Sequence, residues 1–169
     1  MPIGIQGVRR AHRSLFARLD RLEDPKARAR AFREYMALVF LRNSYLRFLR
    51  GWMQDASSPE GAVLKGWVES RFGLPPVFHA GLIENVHAPA YLLYLAERMR
   101  ESARANAVES QFDLLYEFVQ DELRRRHPGV QAFALYRGVK NLGDYRVIGE
   151  TGGNRVVLRL NNLNSFSSR

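Results

Sequence analysis

The sequence predicts an α+β fold, with a helical N-terminal part over residues 1–128 and the first strands of an antiparallel sheet over residues 129–169. Both belong to one domain whose sheet is incomplete. Two observations carry this. Through the first three quarters, apolar residues recur at steps of three and four, between Pro, Gly and Asp/Ser punctuation. Beyond His127-Pro128-Gly129 the period changes to two, which is the pattern of a strand with two distinct faces.

Val8, His12, Leu15, Leu19 and Leu22 put a mostly apolar stripe on a first helix. Asp24-Pro25 reads as an N-cap followed by Pro at the first helical position, opening a stripe of Ala31, Tyr35 and Leu38 that continues through Leu46, Leu49 and Met53. A break is expected near Arg42-Asn43-Ser44. Ser58-Pro59-Glu60-Gly61 opens a helix that runs through Val63 and Trp67 and stops at Gly73, ahead of Pro75-Pro76. Pro89 opens a helix with Tyr91, Leu92, Leu95 and Met99. Asn106 and Glu109 have capping-box spacing before Val108, Phe112, Leu115, Val119 and Leu123. In Gln131–Lys140, Phe133, Leu135, Arg137 and Val139 share one strand face. Thr151-Gly152-Gly153-Asn154 signals a turn, followed by Val156, Leu158 and Leu160 in alternation.

The 169 residues are 46% hydrophobic and 25% charged, enough to bury a real core. The absence of Cys excludes disulfide scaffolds, thiolate-held metals and Cys nucleophiles. No apolar run approaches a membrane span, and MPIGIQGVRR lacks a signal-peptide core, so a cytoplasmic protein is expected. The formal charge is +9, and residues 1–50 hold 12 basic and 4 acidic side chains. A solvated basic helix face accounts for that better than a nucleic-acid partner, for which there is no recognition motif.

Phosphate loops, dinucleotide fingerprints, zinc-protease and nucleophile-elbow motifs are all missing. His12, His79, His87 and His127 lack metal-ligand spacing, so each is read as structural or surface and no metal is expected. Arg124-Arg125-Arg126 ends a helix, where cations suit the dipole. Two segments carry chemistry. In Leu135-Tyr136-Arg137-Gly138-Val139, an Arg occupies a position expected to face the core, where its fork suits a planar or diphosphate anion. Gly138 beside it permits close backbone approach. Asn161-Asn162-Leu163-Asn164-Ser165-Phe166-Ser167 is a polar strand end with an aromatic between two Ser.

In this order the segments resemble the NAD+–dinitrogen-reductase ADP-ribosyltransferases, which modify the nitrogenase iron protein. The matching stretches are GVRRAHRSLFARLDRL, YLRFLRGWMQDASSPEGAVLKGWVESRFGLPPVFH, QFDLLYEFVQDELRRR, ALYRGV and VVLRLNNLNSFS. The resemblance implies a mono-ADP-ribosyltransferase of the Arg–Ser–Glu class, using NAD+ as co-substrate and an arginine of dinitrogenase reductase as acceptor. It assigns NAD+ binding to Arg137 with Gly138, and the nicotinamide-ribose pocket to Ser165, Phe166 and Ser167. It also implies a Glu-x-Glu pair on a further strand. None follows Ser167, and Glu97, Glu101, Asp121 and Glu122 lie on predicted helices, so the catalytic carboxylate is unassigned. The chain ends at Ser167-Ser168-Arg169, just past a strand, and is expected to lack the C-terminal part of its domain. An alternative reading is a non-catalytic helical module that docks on the iron protein or on a PII-type nitrogen regulator.

Overall fold

The computed structural model describes residues 5, 7–41, 43–139, 143, 145–153 and 155–167. Its elements are α1 (Val8–Ala11), α2 (Arg13–Asp20), α3 (Pro25–Phe40), α4 (Ser44–Gln54), α5 (Pro59–Phe72), α6 (Pro89–Ala103), α7 (Val108–Arg126), β1 (Arg146–Gly152) and β2 (Arg155–Arg159). The expected α+β class is what forms.

The local signals explain several helix starts and stops. Asp24 caps α3 by accepting from the Ala27 N–H at 2.9 Å, with Pro25 at the first position. Ser58 caps α5 by accepting from the Gly61 N–H at 3.1 Å, and Gly73 ends that helix in the left-handed region at φ 66°. The expected break between α3 and α4 comes at Leu41, whose φ is 61°. The first segment is two helices, because the backbone leaves helical geometry at His12. The Asn106–Glu109 capping box does not form. Ala107 holds the N-cap position in the left-handed region without a side-chain bond, and the Asn106 amide donates instead to the Phe40 carbonyl at 3.0 Å.

Helix α5 organises the rest. Residues 61–68 are all buried, so it has no polar face and runs through the interior between α4 and α6. Gly66 allows this: a Cβ there would come within 2.2 Å of the Arg98 Nε on α6. Trp67 lies among Phe72, Phe112 and Tyr116, with its indole N–H donating to Asp113 at 2.7 Å. Phe32 of α3 stacks on Phe118 of α7 at 4.3 Å between centroids.

Several stripes turn a different face inward than their spacing suggests. Leu38 and Met53 are each 76% exposed, while Phe32, Met36, Phe40 and Phe48 carry the core of α3 and α4. On α6, Tyr94 is buried and Leu92 and Met99 are exposed. On α7, Val119 and Leu123 face outward. The tilt of each helix against its neighbours chooses the inward arc, and a run of many apolar residues leaves that choice open.

The N-terminal arginines are partly structural. Arg28 is buried, and its guanidinium meets Asp121 at 2.6 Å, Glu122 at 2.5 Å and the Leu19 carbonyl. Arg9 reaches Asp121 at 2.8 Å. The triple Arg at the end of α7 is also paired: Arg125 with Asp20 and Asp121, and Arg126 with Glu122.

β1 and β2 form an antiparallel hairpin in the register Arg146↔Arg159 and Gly152↔Arg155, turning through Gly152 and Gly153, both at positive φ. The Thr151–Asn154 turn signal is therefore answered, with Asn154 outside the described residues. Val147, Ile148, Val156 and Val157 are all exposed. The strand expected over residues 131–140 does not form. Its described residues touch the β part through a single antiparallel bridge, Tyr136↔Ser167, and Lys140 lies outside the description. Phe133 and Leu135 are accordingly exposed, so Arg137 sits at an open edge and not at a core position. Alternation reads as a strand only where a neighbour completes the ladder.

Candidate functional site

The two segments singled out by chemistry lie side by side. Tyr136 N–H donates to the Ser167 carbonyl at 2.8 Å, and Ser167 N–H returns the bond to the Tyr136 carbonyl at 2.9 Å. This bridge brings the side chain of the next residue, Arg137, within reach of Ser165, diagonal to it in the antiparallel register. The Arg137 Nη1 donates to the Ser165 carbonyl at 2.9 Å and lies 3.4 Å from its Oγ. Residues 28 positions apart thus make one bracket.

The bracket is open to solvent. Arg137, Ser165 and Ser167 are exposed, and Phe166 is 48% exposed between the two serines. A Cβ built on Gly138 would meet nothing within 4 Å, so the backbone beside Arg137 is approachable. Among the described residues Arg137 has no carboxylate partner, unlike Arg28, Arg71 or Arg98. A guanidinium held at one nitrogen by a carbonyl keeps its charge and most of its N–H donors for an anion.

The remaining candidates resolve as structure. His12 Nδ1 lies 3.0 Å from the Tyr35 hydroxyl, and burial lowers the ring's pKa. His79 is buried, with Nε2 2.8 Å from Glu97 and Nδ1 3.3 Å from the Lys65 ammonium. Burial lowers the pKa of His79 despite the opposing bond to Glu97. Glu69 accepts from the Tyr94 hydroxyl at 2.7 Å and from Arg98 at 3.0 Å. Among the described residues no cluster of three potential metal ligands occurs. No helix among them is long and apolar enough to cross a membrane.

Sequence reasoning missed Lys65. It is wholly buried, its Nζ donates to the Phe78 carbonyl at 2.8 Å, and burial lowers its pKa to about 8. The available signal was a lone Lys inside GAVLKGWV, a segment without any polar face.

The helical front leading into antiparallel strands is the class of fold that the sequence resemblance implies. The model of the family described as dinitrogenase reductase ADP-ribosyltransferase (DRAT) matches residues 1–169. The chain is 41% identical over 186 residues to the NAD(+)–dinitrogen-reductase ADP-D-ribosyltransferase of Rhodospirillum rubrum, an alignment that covers 98% of this chain and 67% of that protein. No solved structure matches. The chain belongs to the dinitrogenase reductase ADP-ribosyltransferase family.

Proposed function

We propose that this chain carries the NAD+-gripping part of a cytoplasmic mono-ADP-ribosyltransferase that moves ADP-ribose from NAD+ to an arginine of dinitrogenase reductase, switching nitrogen fixation off. Residues 1–128 serve as the helical scaffold and residues 129–169 as the start of the NAD+-binding part of the same domain. The observation that carries the reading is the Arg137–Ser165 bracket, a guanidinium without a carboxylate partner among the described residues, fixed beside a Ser-Phe-Ser segment.

In this reading the guanidinium grips the NAD+ diphosphate bidentately, and Ser165, Phe166 and Ser167 shape the wall that receives the nicotinamide ribose. Departure of nicotinamide leaves an oxocarbenium-like ribose, a charge distribution that a fixed carboxylate stabilises, as in glycoside hydrolysis. No residue of this chain is assigned that carboxylate. The part played here is binding and orientation of the dinucleotide.

Calorimetric titration with NAD+ tests the site. A charge-assisted hydrogen bond contributes about 1.5–3 kcal/mol, so Arg137→Ala weakens NAD+ binding roughly ten- to hundredfold. Equal affinity in the variant refutes the assignment of Arg137. For a transferase that carries this site together with the catalytic carboxylate, incubation with labelled NAD+ and purified iron protein tests the acceptor, and label on a side chain other than arginine overturns that part.

A further inference from the structure

The Ser-Phe-Ser segment does not hang free from β2. It leaves the helical part through a clasp of asparagines. The Asn161 side chain accepts from the Val77 N–H at 3.1 Å and donates to the Phe78 carbonyl at 3.0 Å. The Asn162 amide donates to the Lys65 carbonyl at 2.9 Å and to the Leu74 carbonyl at 2.8 Å. Asn164 folds its amide back onto the Asn161 carbonyl, and Leu163 packs against the helical core. The receiving side is braced in turn. The Lys65 Nζ donates to the same Phe78 carbonyl that Asn161 uses, and lies against His79, which Glu97 holds from the far side.

We infer that Asn161 and Asn162, seated on the Lys65–His79–Glu97 brace, are positioning residues that fix the Ser165–Ser167 segment against Arg137. The inference rests on the proposed NAD+ site for its purpose and on the hydrogen bonds for its geometry. Ser165 lies three residues along the chain from Asn162, a reach of about 10 Å in extended chain. A shift of the clasp therefore passes to the bracket with little slack to absorb it. Between the two segments the described contacts are the Tyr136–Ser167 bridge and the exposed Arg137 contact to Ser165, whereas the clasp makes four bonds to α5 and the 74–78 segment. The firmer contact sets the geometry of the weaker one. A brace built from a buried Lys, which is costly to bury, fits a requirement for place over one for stability alone.

The test uses the full 169-residue chain with Asn162→Asp, which keeps the shape but replaces the Nδ2 amide, donor of both bonds, by one carboxylate oxygen facing two carbonyls. Lys65→Met serves as a second variant that removes only the brace. The readouts are cross-strand nuclear Overhauser contacts between residues 135–137 and 166–167, the NAD+ dissociation constant, and the melting temperature. In both variants the cross-strand contacts are expected to vanish or weaken several-fold, and the NAD+ dissociation constant to rise about tenfold. Contacts within the α3–α7 core are expected to persist. Intact cross-strand contacts in both variants overturn the inference. So does uniform loss of core and cross-strand contacts together, which marks a general stability role. If the unaltered chain does not bind NAD+ at millimolar concentration, the site reading fails, and the cross-strand contacts alone then decide the positioning role.

Discussion

Arg28→Met removes the most heavily engaged cation of the molecule. Arg28 is 1% exposed and links three helices: its own α3, the carbonyl end of α2 at Leu19 and the carboxylates of Asp121 and Glu122 on α7. Met fills most of the volume but leaves Glu122 with only Arg126 at 3.2 Å, and Asp121 with Arg9, Arg124 and Arg125. Breaking a buried pair by deleting one partner costs about 3–5 kcal/mol, because the other charge stays desolvated. The remaining arginines around Asp121 offset part of this, so the lower end, about 3 kcal/mol, is expected. For a chain of this size that is a fall in Tm of roughly 6–12 °C. The assay is urea unfolding followed by the fluorescence of Trp52 and Trp67, with calorimetry for Tm. Adding Asp121→Asn removes the charge that Arg28 meets at 2.6 Å, and the double variant should lose less than the two single losses combined. A loss below about 1 kcal/mol in Arg28→Met, or strict additivity in the double variant, refutes the view that this cluster ties α3 to α7.

Gly66→Ala gains up to about 1 kcal/mol of helix propensity, but its methyl falls within 2.2 Å of Arg98 Nε and 2.4 Å of Cδ. Arg98 can yield only by giving up Glu69 at 3.0 Å and Ser70 at 2.7 Å, so a net loss of about 1 kcal/mol is expected, read from the urea midpoint. Stability against pH should fall below about pH 6.5, because burial lowers His79 and His12 and the unfolded chain takes up their protons first. Lys65, lowered by burial to about 8 from 10.5, makes stability rise again from about pH 8 toward 10, since the unfolded chain keeps a proton that the folded one releases. Above about pH 10 the trend reverses, because burial raises Tyr45 and Tyr94 and the unfolded chain ionises them first. Urea midpoints between pH 5 and 11 check all three limbs, and a level profile from pH 8 to 10 refutes the assignment to Lys65.

The helix boundaries were legible because they are local. Asp24-Pro25, Ser58-Pro59 and Gly73 each act within one turn, and each does in the structure what its chemistry dictates. The inward arc of each helix was less legible, since it is decided by neighbours. Leu38 and Met36 are equally apolar, yet only Met36 is buried. Arg28 and Lys65 were not legible at all. Their partners stand 93 residues away in Asp121 for the first, and at Phe78 and His79, beyond the end of α5, for the second. Nothing in the local pattern marks a charge as one that a distant element will meet.

At the site, Arg137 was expected as a charge turned into a core, and it lies exposed at an edge. The resemblance assigns Arg137 and the Ser165–Ser167 segment to NAD+ binding but names no contact between them; in the structure the Arg137 Nη1 donates to the Ser165 carbonyl. The asparagine clasp had no such guide. In sequence, Asn161-Asn162-Leu163-Asn164 has the composition of a turn, because Asn side chains readily bond their own neighbouring backbone. In the structure the Asn161 amide does what a peptide unit in a strand would do, accepting from the Val77 N–H and donating to the Phe78 carbonyl. The side chain thus extends strand-like pairing to the 77–78 backbone. The local bond forms as well, since the Asn161 Oδ1 also accepts from the Asn162 N–H at 3.1 Å, so what the sequence cannot show is the second, distant set of bonds, which depends on where the 74–78 segment lies beyond α5 and its Gly73 stop.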